Sequence, residues 1–331
     1  MSESRVTTRS MQPLRVLSYN VRYFGHGTRG LASTKTAMQR IANAIARLDP
    51  LPDIACLQEV ETASLRATVA YPRTRPDEVQ LDRFMTMLNE ALRAYGKHQT
   101  YEAYYFPAHT YWLTRNTPIY TTGLAVLARS EFTVDHHNAH GPHDITCRRV
   151  HPMPRLKQTR ICAHVRLRDP RGETIDVFNT HLSLPTSLAP KFWTVPARMG
   201  YGINQLEEAY RLSEFVEKER QSDRFVVMGD FNALPGSPVY RHFVQDHGLY
   251  DPFARLHRMT DDELRAFPTA GFMQWRMHLD HVFSGPGIDW IDFEDTHPFG
   301  DKRARFFGLS DHMPLIGRCR IAPPSALRVA S

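Results

Sequence analysis

The feature that most constrains this chain is a design that recurs along it, in which a hydrophobic segment of strand length ends in a small polar cluster. Four segments share it: Ser18-Tyr19-Asn20, Leu57-Gln58-Glu59, Asn179-Thr180-His181 and residues 227–232. Two more follow near the C-terminus: Leu279-Asp280-His281 and Ser310-Asp311-His312. Binding and catalytic residues collect where rigid elements give way to loops. These strand ends are therefore the first candidates for a functional site.

The segments between these clusters alternate in type. Residues 14–20 alternate apolar and polar side chains, which is typical of a strand, and residues 36–48 have apolar residues at helical spacing, ending before Pro50. Further strands are predicted at 54–57, 101–106, 121–128, 157–167, 174–180, 225–228, 279–283, 288–293 and 312–319. Further helices are predicted over 62–95, over 204–220 and directly after Pro238. Strands mixed with helices throughout predict an α/β sandwich.

Linkers, apolar stretches and cysteines bear on the domain organisation and on the cellular compartment. We expect a single domain over 13–320, with a flexible leader at 1–12 and a flexible tail at 321–331, because no linker-like stretch divides the middle. The leader lacks the apolar run of a signal peptide, and the longest uncharged stretch, 116–128, is shorter than the ~18 apolar residues that span a bilayer. The four cysteines are scattered and are expected to be reduced and buried. These features predict a soluble, cytoplasmic protein.

The charge balance is compatible with an anionic partner. The chain has 41 Lys and Arg against 35 Asp and Glu, a formal net charge of +6. Such an excess permits nucleic acid, phospholipid headgroups or phosphorylated metabolites as partners, and it does not choose among them.

The residue types at the strand ends point to metal-assisted phosphate chemistry. Carboxylates and Asn carbonyls suit a hard cation such as Mg²⁺ or Mn²⁺, which prefers oxygen ligands. An Asp next to a His suits water activation or charge stabilisation. Each piece alone is more often structural: an Asn in a turn, a solvated Glu, a satisfied His. Gly229-Asp230-Phe231-Asn232 is more specific, because Asp and Asn two residues apart lie on the same side of an extended chain.

Taken together and in this order, SYN, LQEV, NTHL, GDFN, LDH and SDH make the chain resemble the endonuclease/exonuclease/phosphatase superfamily, whose fold is that of deoxyribonuclease I. The resemblance extends over residues 14–318. It implies a four-layer α/β sandwich, with two mixed β-sheets packed face to face and helices outside. It also implies a Mg²⁺-dependent (or Mn²⁺-dependent) hydrolase of phosphate esters.

The same resemblance implies roles for single residues. Asn20, Glu59 and Asp311 match residues at the metal, with Glu59 as the principal ligand. His181 matches a phosphate-contacting His, Asp230 the residue that orients or deprotonates the attacking water, and Asn232 a residue that holds the scissile phosphate. His312, paired with Asp280, matches the His that stabilises charge on the phosphate during in-line displacement.

The substrate is less constrained than the chemistry. Thr180-His181-Leu182-Ser183 departs from the pattern of the superfamily's abasic-site endonucleases, which counts against that branch. Arg149 and Arg160 lie in a basic stretch fit to track a phosphate backbone, and Trp193 is a candidate to shape the substrate pocket. A nuclease or phosphodiesterase acting on nucleic acid is the leading hypothesis. A phospholipid or small-metabolite phosphoesterase is the alternative, and a catalytically silent binding module is a third possibility that the complete motif set disfavours.

One motif has no place in this scheme. Residues 135–153 contain five histidines, at 136, 137, 140, 143 and 151, without periodicity, and we expect a long surface loop there. Five histidines raise the question of a transition-metal site, but the irregular spacing favours an exposed polar loop.

Overall fold

The computed structural model describes residues 13–24, 33–60, 80–114, 117–148, 158–185, 198–272, 274–294 and 303–322. The predicted leader, most of the predicted tail, and the candidate substrate-binding residues Arg149 and Trp193 lie outside these ranges. So does the first part of the helix predicted over 62–95.

The first sheet has six strands in the order β13-β14-β1-β2-β4-β3. β1 and β2 are parallel, and the other pairs are antiparallel, so the sheet is mixed. The bounds are β1 Leu14–Asn20, β2 Ile54–Val60, β3 Tyr101–Thr114, β4 Thr117–Arg129, β13 Ile288–Phe293 and β14 Leu315–Ile321.

The second sheet is also mixed and follows the order β12-β9-β8-β7-β5, with the short β6 pairing with β7. Its parallel pair is β8 and β9. The bounds are β5 Thr133–His137, β6 His143–Asp144, β7 Ile161–Arg168, β8 Thr174–His181, β9 Phe225–Asp230 and β12 Asp280–Ser284. A separate hairpin joins β10, Ala270–Phe272, to β11, Trp275–Met277.

Three helices of 14 residues or more cover the sheets in the described ranges: α1 Ser33–Ala46, α2 Gln80–Ala94 and α3 Ile203–Glu219. Three short ones follow: α4 Pro238–Arg241, α5 Pro252–His257 and α6 Asp261–Arg265. A 3₁₀ turn at Arg22–Phe24 and a π-helical turn at His242–Asp246 complete the order. Within the described part of the chain, no helix is both long and apolar enough to cross a membrane.

The alternation of side chains along β1 explains how the layers stack. Val16 packs in the core between the two sheets, whereas Leu17 and Tyr19 pack in a second core against the outer helices. Met38 of α1 and Phe84 of α2 belong to that second core. On the other side of the molecule, α3 covers the outer face of the second sheet. The four-layer α/β sandwich with two mixed sheets and helices outside is therefore confirmed.

The structure corrects the prediction for residues 135–153. The segment is not a continuous loop, because Thr133–His137 forms the edge strand β5 and His143–Asp144 forms β6, both paired with β7. Periodicity was hidden by a register shift between Val134 and His136, which breaks the alternation that a strand normally shows. Smaller differences concern strand ends: β7 begins at Ile161 and β14 at Leu315, later than predicted.

The four cysteines agree with expectation. Cys56, Cys147, Cys162 and Cys319 are all buried and free of disulfides.

Candidate active site

The carboxyl ends of the two parallel strand pairs meet between the sheets. The Asn20 Nδ2 group, at the end of β1, donates to Asp230 Oδ2 of β9 at 3.0 Å and to Glu59 Oε1 of β2 at 3.2 Å. His181 Nε2, at the end of β8, lies 3.4 Å from Asp230 Oδ2 and 3.9 Å from Glu59 Oε1. Four of the predicted strand ends thus form one cluster of two carboxylates, one imidazole and one amide.

Glu59 reaches this cluster only because its strand is irregular. By strict alternation Glu59 would share a face with Leu57, which packs against the outer helices. A register shift between Leu57 and Val60 and a left-handed backbone at Glu59, with φ of 56°, break the alternation. Such a bulge re-aims a side chain at a strand end. The Glu59 carboxylate therefore turns toward Asn20 and His181.

Gly229 lets β9 approach β8 just before the cluster. Its φ is 153°, and a Cβ atom there would lie 2.0 Å from the backbone oxygen of Thr180, so any larger residue would push the parallel pair apart. The close pairing holds Asp230 beside His181.

Asn232 is held mostly by the backbone around the site. Its Nδ2 donates to the Leu182 carbonyl at 2.9 Å, its N–H donates to Asp230 Oδ1 at 2.9 Å, and its carbonyl accepts from Gln205 Nε2 at 2.7 Å. With φ of 48°, the residue ends the strand and turns the chain. Asn232 therefore braces Asp230 as well as lining the pocket.

A second set of side chains, around His312 and Asp280, lies across Asp230 from Glu59 and His181. His312 Nδ1 lies 2.8 Å from Asp280 Oδ2, and His312 Nε2 lies 3.8 Å from Asp230 Oδ2. Thr269 Oγ1 donates to Asp280 Oδ2 at 2.7 Å and accepts the backbone N–H of Asp280 at 3.0 Å. The carboxylate thus orients the imidazole, and a buried hydroxyl orients the carboxylate.

The electrostatics of the two histidines differ. Burial lowers the pKa of His181 well below its ordinary value, and the charges of Arg160 and His312 lower it further. Burial alone would also lower the pKa of His312, but Asp280 and Asp230 outweigh it and raise that pKa well above its ordinary value. At neutral pH, His181 is therefore a neutral imidazole and His312 a cation.

The pKa values of the two carboxylates, Glu59 and Asp230, are both raised. Burial raises the pKa of Glu59, against the field of His312 and the hydrogen bond from Asn20. Burial also raises the pKa of Asp230, His312 opposes the rise, and Asp280 adds to it. Two buried carboxylates close together repel each other, so a cation between them would be favourable.

The donor set fits a divalent metal. Glu59, His181 and Asp230 each offer one ligand atom, and these atoms lie within 4.8 Å of one another. Asn20 presents its N–H group to the carboxylates, because its Oδ1 accepts the backbone N–H of Arg22 at 3.0 Å. Asp311 forms an ion pair with Arg22, also at this end of the sheets.

The clusters open into a pocket of about 290 Å³. Its lining combines the carboxylates and histidines with Arg160 and with a set of apolar residues, here called the apolar wall. The residues of the apolar wall are Leu184, Met199, Ala270, Trp275, Met277 and Leu279.

A buried polar link braces the site from behind. Gln58 Nε2 of the first sheet donates to Asn179 Oδ1 of the second at 2.8 Å, and Asn179 Nδ2 donates to the carbonyls of Leu57 and Ala125 at 3.1 and 3.0 Å. Both side chains are completely buried. They fix the spacing of the two sheets one residue before Glu59 and two residues before His181.

Nine of the eleven predicted site residues lie at this pocket or against it: Asn20, Glu59, Arg160, His181, Asp230, Asn232, Asp280, Asp311 and His312. Arg149 and Trp193 fall outside the described residues. Sequence reasoning missed Thr269, Arg22 and Gln205, which act on named site residues through hydrogen bonds and ion pairs. It also missed the apolar wall. Arg22, two residues after Asn20 of the SYN motif, is the nearest of the three to a signal that sequence reading could have used, and Thr269 lies ten residues before the LDH motif.

A sequence model of the Endonuclease/Exonuclease/phosphatase family matches residues 17–312 of the chain. No curated protein sequence matches this chain.

Solved structures of the same fold are distant in sequence. The human Nocturnin catalytic domain with a bound sulfate anion is 18% identical, with 94% of each chain covered and a TM-score of 0.57. ANGEL2, a 2′,3′-cyclic phosphatase, is 17% identical, with 95% of this chain and 96% of that one covered and a TM-score of 0.56. A mannosyl-6-phosphatase from Bacteroides thetaiotaomicron is 18% identical, with 92% and 99% covered and a TM-score of 0.54. At these identities the likeness shows the fold.

Proposed function

The chain belongs to the endonuclease/exonuclease/phosphatase family and is a phosphoester hydrolase, and on that premise we propose that it is a Mg²⁺-dependent phosphodiesterase acting on nucleic acid. The observation that carries the proposal is the pairing of two unlike groups across Asp230. On one side lie Glu59 and neutral His181, and on the other the cationic His312–Asp280 pair.

Glu59, Asp230 and His181 would hold the cation, with Asn20 orienting the two carboxylates. When bound, Mg²⁺ neutralises charge on the phosphate and favours an oxygen-rich donor set, which Glu59 and Asp230 supply.

Asp230 is placed to direct the attacking water. Its Oδ1 is held by the backbone N–H of Asn232 and its Oδ2 by Asn20, so the carboxylate cannot swing away. As water attacks phosphorus, Asp230 accepts the proton that the water loses.

His312 is placed to stabilise the charge that develops on the phosphate oxygens. Asp280 keeps the imidazole protonated and fixes its orientation through Nδ1, which leaves Nε2–H for the substrate. Arg160, at the side of the pocket, supplies a second positive charge. In phosphoryl transfer, positioning and electrostatic neutralisation of this kind supply most of the acceleration.

Nucleic acid is the leading substrate class because the pocket lining combines the cationic side chain of Arg160 with the aromatic ring of Trp275. Trp275 offers a face on which a base can stack, and Arg160 can meet a backbone phosphate. The pocket volume of about 290 Å³ suits one nucleotide at a time, so a single-stranded or frayed end is expected to be preferred over intact duplex.

The pocket also supports a second candidate, a small phosphate ester such as a sugar phosphate or a cyclic nucleotide phosphate. The apolar wall and the limited volume are the observations in its favour. The solved mannosyl-6-phosphatase and 2′,3′-cyclic phosphatase have the same fold as this chain.

A substrate panel in one Mg²⁺ buffer tests both. Supercoiled plasmid DNA, single-stranded DNA, RNA, sphingomyelin, inositol phosphates, sugar phosphates and 2′,3′-cyclic nucleotides are compared by kcat/KM. The Asp230→Asn variant, purified identically, reports contaminating activity. The proposal expects turnover of single-stranded nucleic acid that EDTA abolishes and that falls steeply with salt. Turnover confined to sugar phosphates, or to lipid, would overturn the nucleic-acid assignment and leave the hydrolase chemistry intact.

A further inference from the structure

A second cluster of ligand-type side chains lies on the outer face of the second sheet. His136 of β5, His164 of β7 and Glu219, the last residue of α3, each offer one ligand atom, and these atoms lie within 4.8 Å of one another. None of the three is among the residues that line the active-site pocket. The cluster includes one of the histidines from the His-rich segment that the proposed function does not use.

The register of the sheet and the position of α3 explain why His136, His164 and Glu219 lie close together. His136 pairs with Arg166 across β5 and β7, and His164 precedes Arg166 by two residues, so all three lie on one face. The C-terminal end of α3 is tied to that face, because Arg166 donates to the Glu219 carbonyl at 2.6 Å and the Gln221 N–H donates to Asp176 Oδ2 at 3.0 Å.

His164 gives the strongest indication that this cluster binds a ligand. It is completely buried and stacks on Phe178, with ring centroids 4.4 Å apart. Its Nε2 lies 2.8 Å from Asp176 Oδ1, a carboxylate that also accepts from Arg166 Nε at 2.8 Å. Asp176 accepts, so Nε2 carries a proton, and in the neutral imidazole Nδ1 therefore carries a lone pair. That Nδ1 is buried and has no hydrogen-bond partner.

An unpartnered buried acceptor is left without compensation for its desolvation, so we expect it to have a binding partner in the functional protein. Histidines that bind metals typically donate their other ring N–H to a carboxylate, which orients the ring and fixes the tautomer. Asp176 and His164 already have that arrangement. The half-exposed Glu219 and the exposed His136 leave the site open to solvent, from which an ion can enter.

We propose that His136, His164 and Glu219 bind a Zn²⁺ ion, with His164 ligating through Nδ1. Two imidazoles and one carboxylate form a donor set typical of zinc and poor for Mg²⁺, which prefers oxygen. The ligand atoms of a tetrahedral zinc site lie ~3.4 Å apart. The three ligand atoms here lie within 4.8 Å of one another, so small side-chain rotations would bring them to the zinc distance. Glu219 ends α3, where the helix dipole favours a cation. The ion ties the edge strand β5 to β7 and to α3.

The test uses untagged, metal-stripped protein, because a His-tag would add its own site. Zn²⁺ is titrated in competition with a chromophoric chelator, and Co²⁺ is titrated while its visible absorption is recorded. The variants are His136→Ala and Glu219→Gln, and the matched control is His140→Ala, which removes another exposed imidazole from the same segment. Both test positions reach solvent, so these variants are expected to fold.

The proposal expects the number of bound Zn²⁺ ions to fall by one in His136→Ala, whatever the active site itself holds, and to stay unchanged in His140→Ala. Glu219→Gln is expected to weaken the same site by 10-fold or more. Zn²⁺ should raise the Tm of the wild type and of His140→Ala, and this rise should be smaller in His136→Ala. Equal zinc stoichiometry and equal Tm shifts in the wild type and His136→Ala would overturn the site, whether or not the protein hydrolyses phosphate esters.

Discussion

The two clusters of ligand-type side chains are built from similar residues and differ in how the fold supports them. The active-site cluster draws Glu59, His181 and Asp230 from strand ends of both sheets. The outer cluster draws His136, His164 and Glu219 from one sheet and the end of a helix. The first places two carboxylates together, and the second places the buried imidazole of His164 beside the exposed imidazole of His136.

This difference teaches which cation and which chemistry each cluster suits. Paired carboxylates repel each other until a hard cation joins them, and the neighbouring His312 is available for a reacting phosphate. Paired imidazoles suit a softer ion, and none of the three residues of the outer cluster lines the active-site pocket. We therefore expect substitutions in the first to affect turnover, and substitutions in the second to affect metal content and stability.

The largest expected difference in turnover comes from replacing the glutamate of each cluster with alanine. Glu59→Ala should abolish Mg²⁺-dependent turnover, because it removes the principal carboxylate from the metal donors. Glu219→Ala should leave kcat within about twofold, because that carboxylate lies outside the pocket. Steady-state kinetics on the best substrate of the panel measures both. Near wild-type turnover in Glu59→Ala would remove the distinction between the clusters.

A slightly smaller effect is expected at the His312–Asp280 pair. His312→Ala should lower kcat by about 10²–10³-fold, because the cation that stabilises the phosphate is lost. Asp280→Asn should lower kcat less, because it removes the group that orients and charges the imidazole. His164→Gln, the corresponding loss of a carboxylate-bound imidazole in the outer cluster, serves as the comparison. If Asp280→Asn left kcat unchanged, the orienting role of Asp280 would be refuted.

A moderate effect on stability is expected from the link behind the active site. Gln58→Leu should lower the free energy of unfolding by about 1–3 kcal/mol, because it leaves Asn179 Oδ1 buried without its donor. The same substitution at the exposed Gln221, beside the outer cluster, should change it by less than about 0.5 kcal/mol. Urea unfolding of both variants makes the comparison, and equal destabilisation would contradict it.

The smallest effect is a pH dependence from a buried histidine that belongs to neither cluster. His278 donates from Nδ1 to the Phe267 carbonyl, and burial, helped by His281 and opposed by Asp251, lowers its pKa to about 3. The folded state keeps it neutral while the unfolded chain binds a proton below pH ~6.5, so its contribution to stability is lost as pH falls from 6.5 toward 3.

At pH 5 this loss amounts to about 2 kcal/mol relative to neutral pH. His278→Asn, which keeps a donor near the Phe267 carbonyl, should flatten the decline in Tm between pH 7 and pH 5. His98→Asn, at an exposed position, should not change it. A decline as steep in His278→Asn as in the wild type would assign the acid sensitivity to other groups.

Much of the fold could be predicted from the sequence because its elements are locally consistent. The helix predicted over 204–220 is Ile203–Glu219, and the strand predicted at 225–228 begins β9. The loop predicted over 135–153 was wrong at residues 135–137 and 143–144, which belong to strands β5 and β6, and a bulge in β5 removed the period-two pattern there. Irregularity of this kind depends on the partner strand, so a window of sequence cannot reveal it.

The sequence by itself determined the chemistry of the strand ends, because short motifs such as GDFN combine a required glycine with the acid and amide that follow it. The tertiary structure decided which of these side chains face one another. The bulge in β2 turned Glu59 away from the helices and toward Asn20. The tertiary structure also brought His136, His164 and Glu219 together from three distant segments that share no motif. Contacts of that kind depend on strand register and helix packing, which many separate residues set jointly.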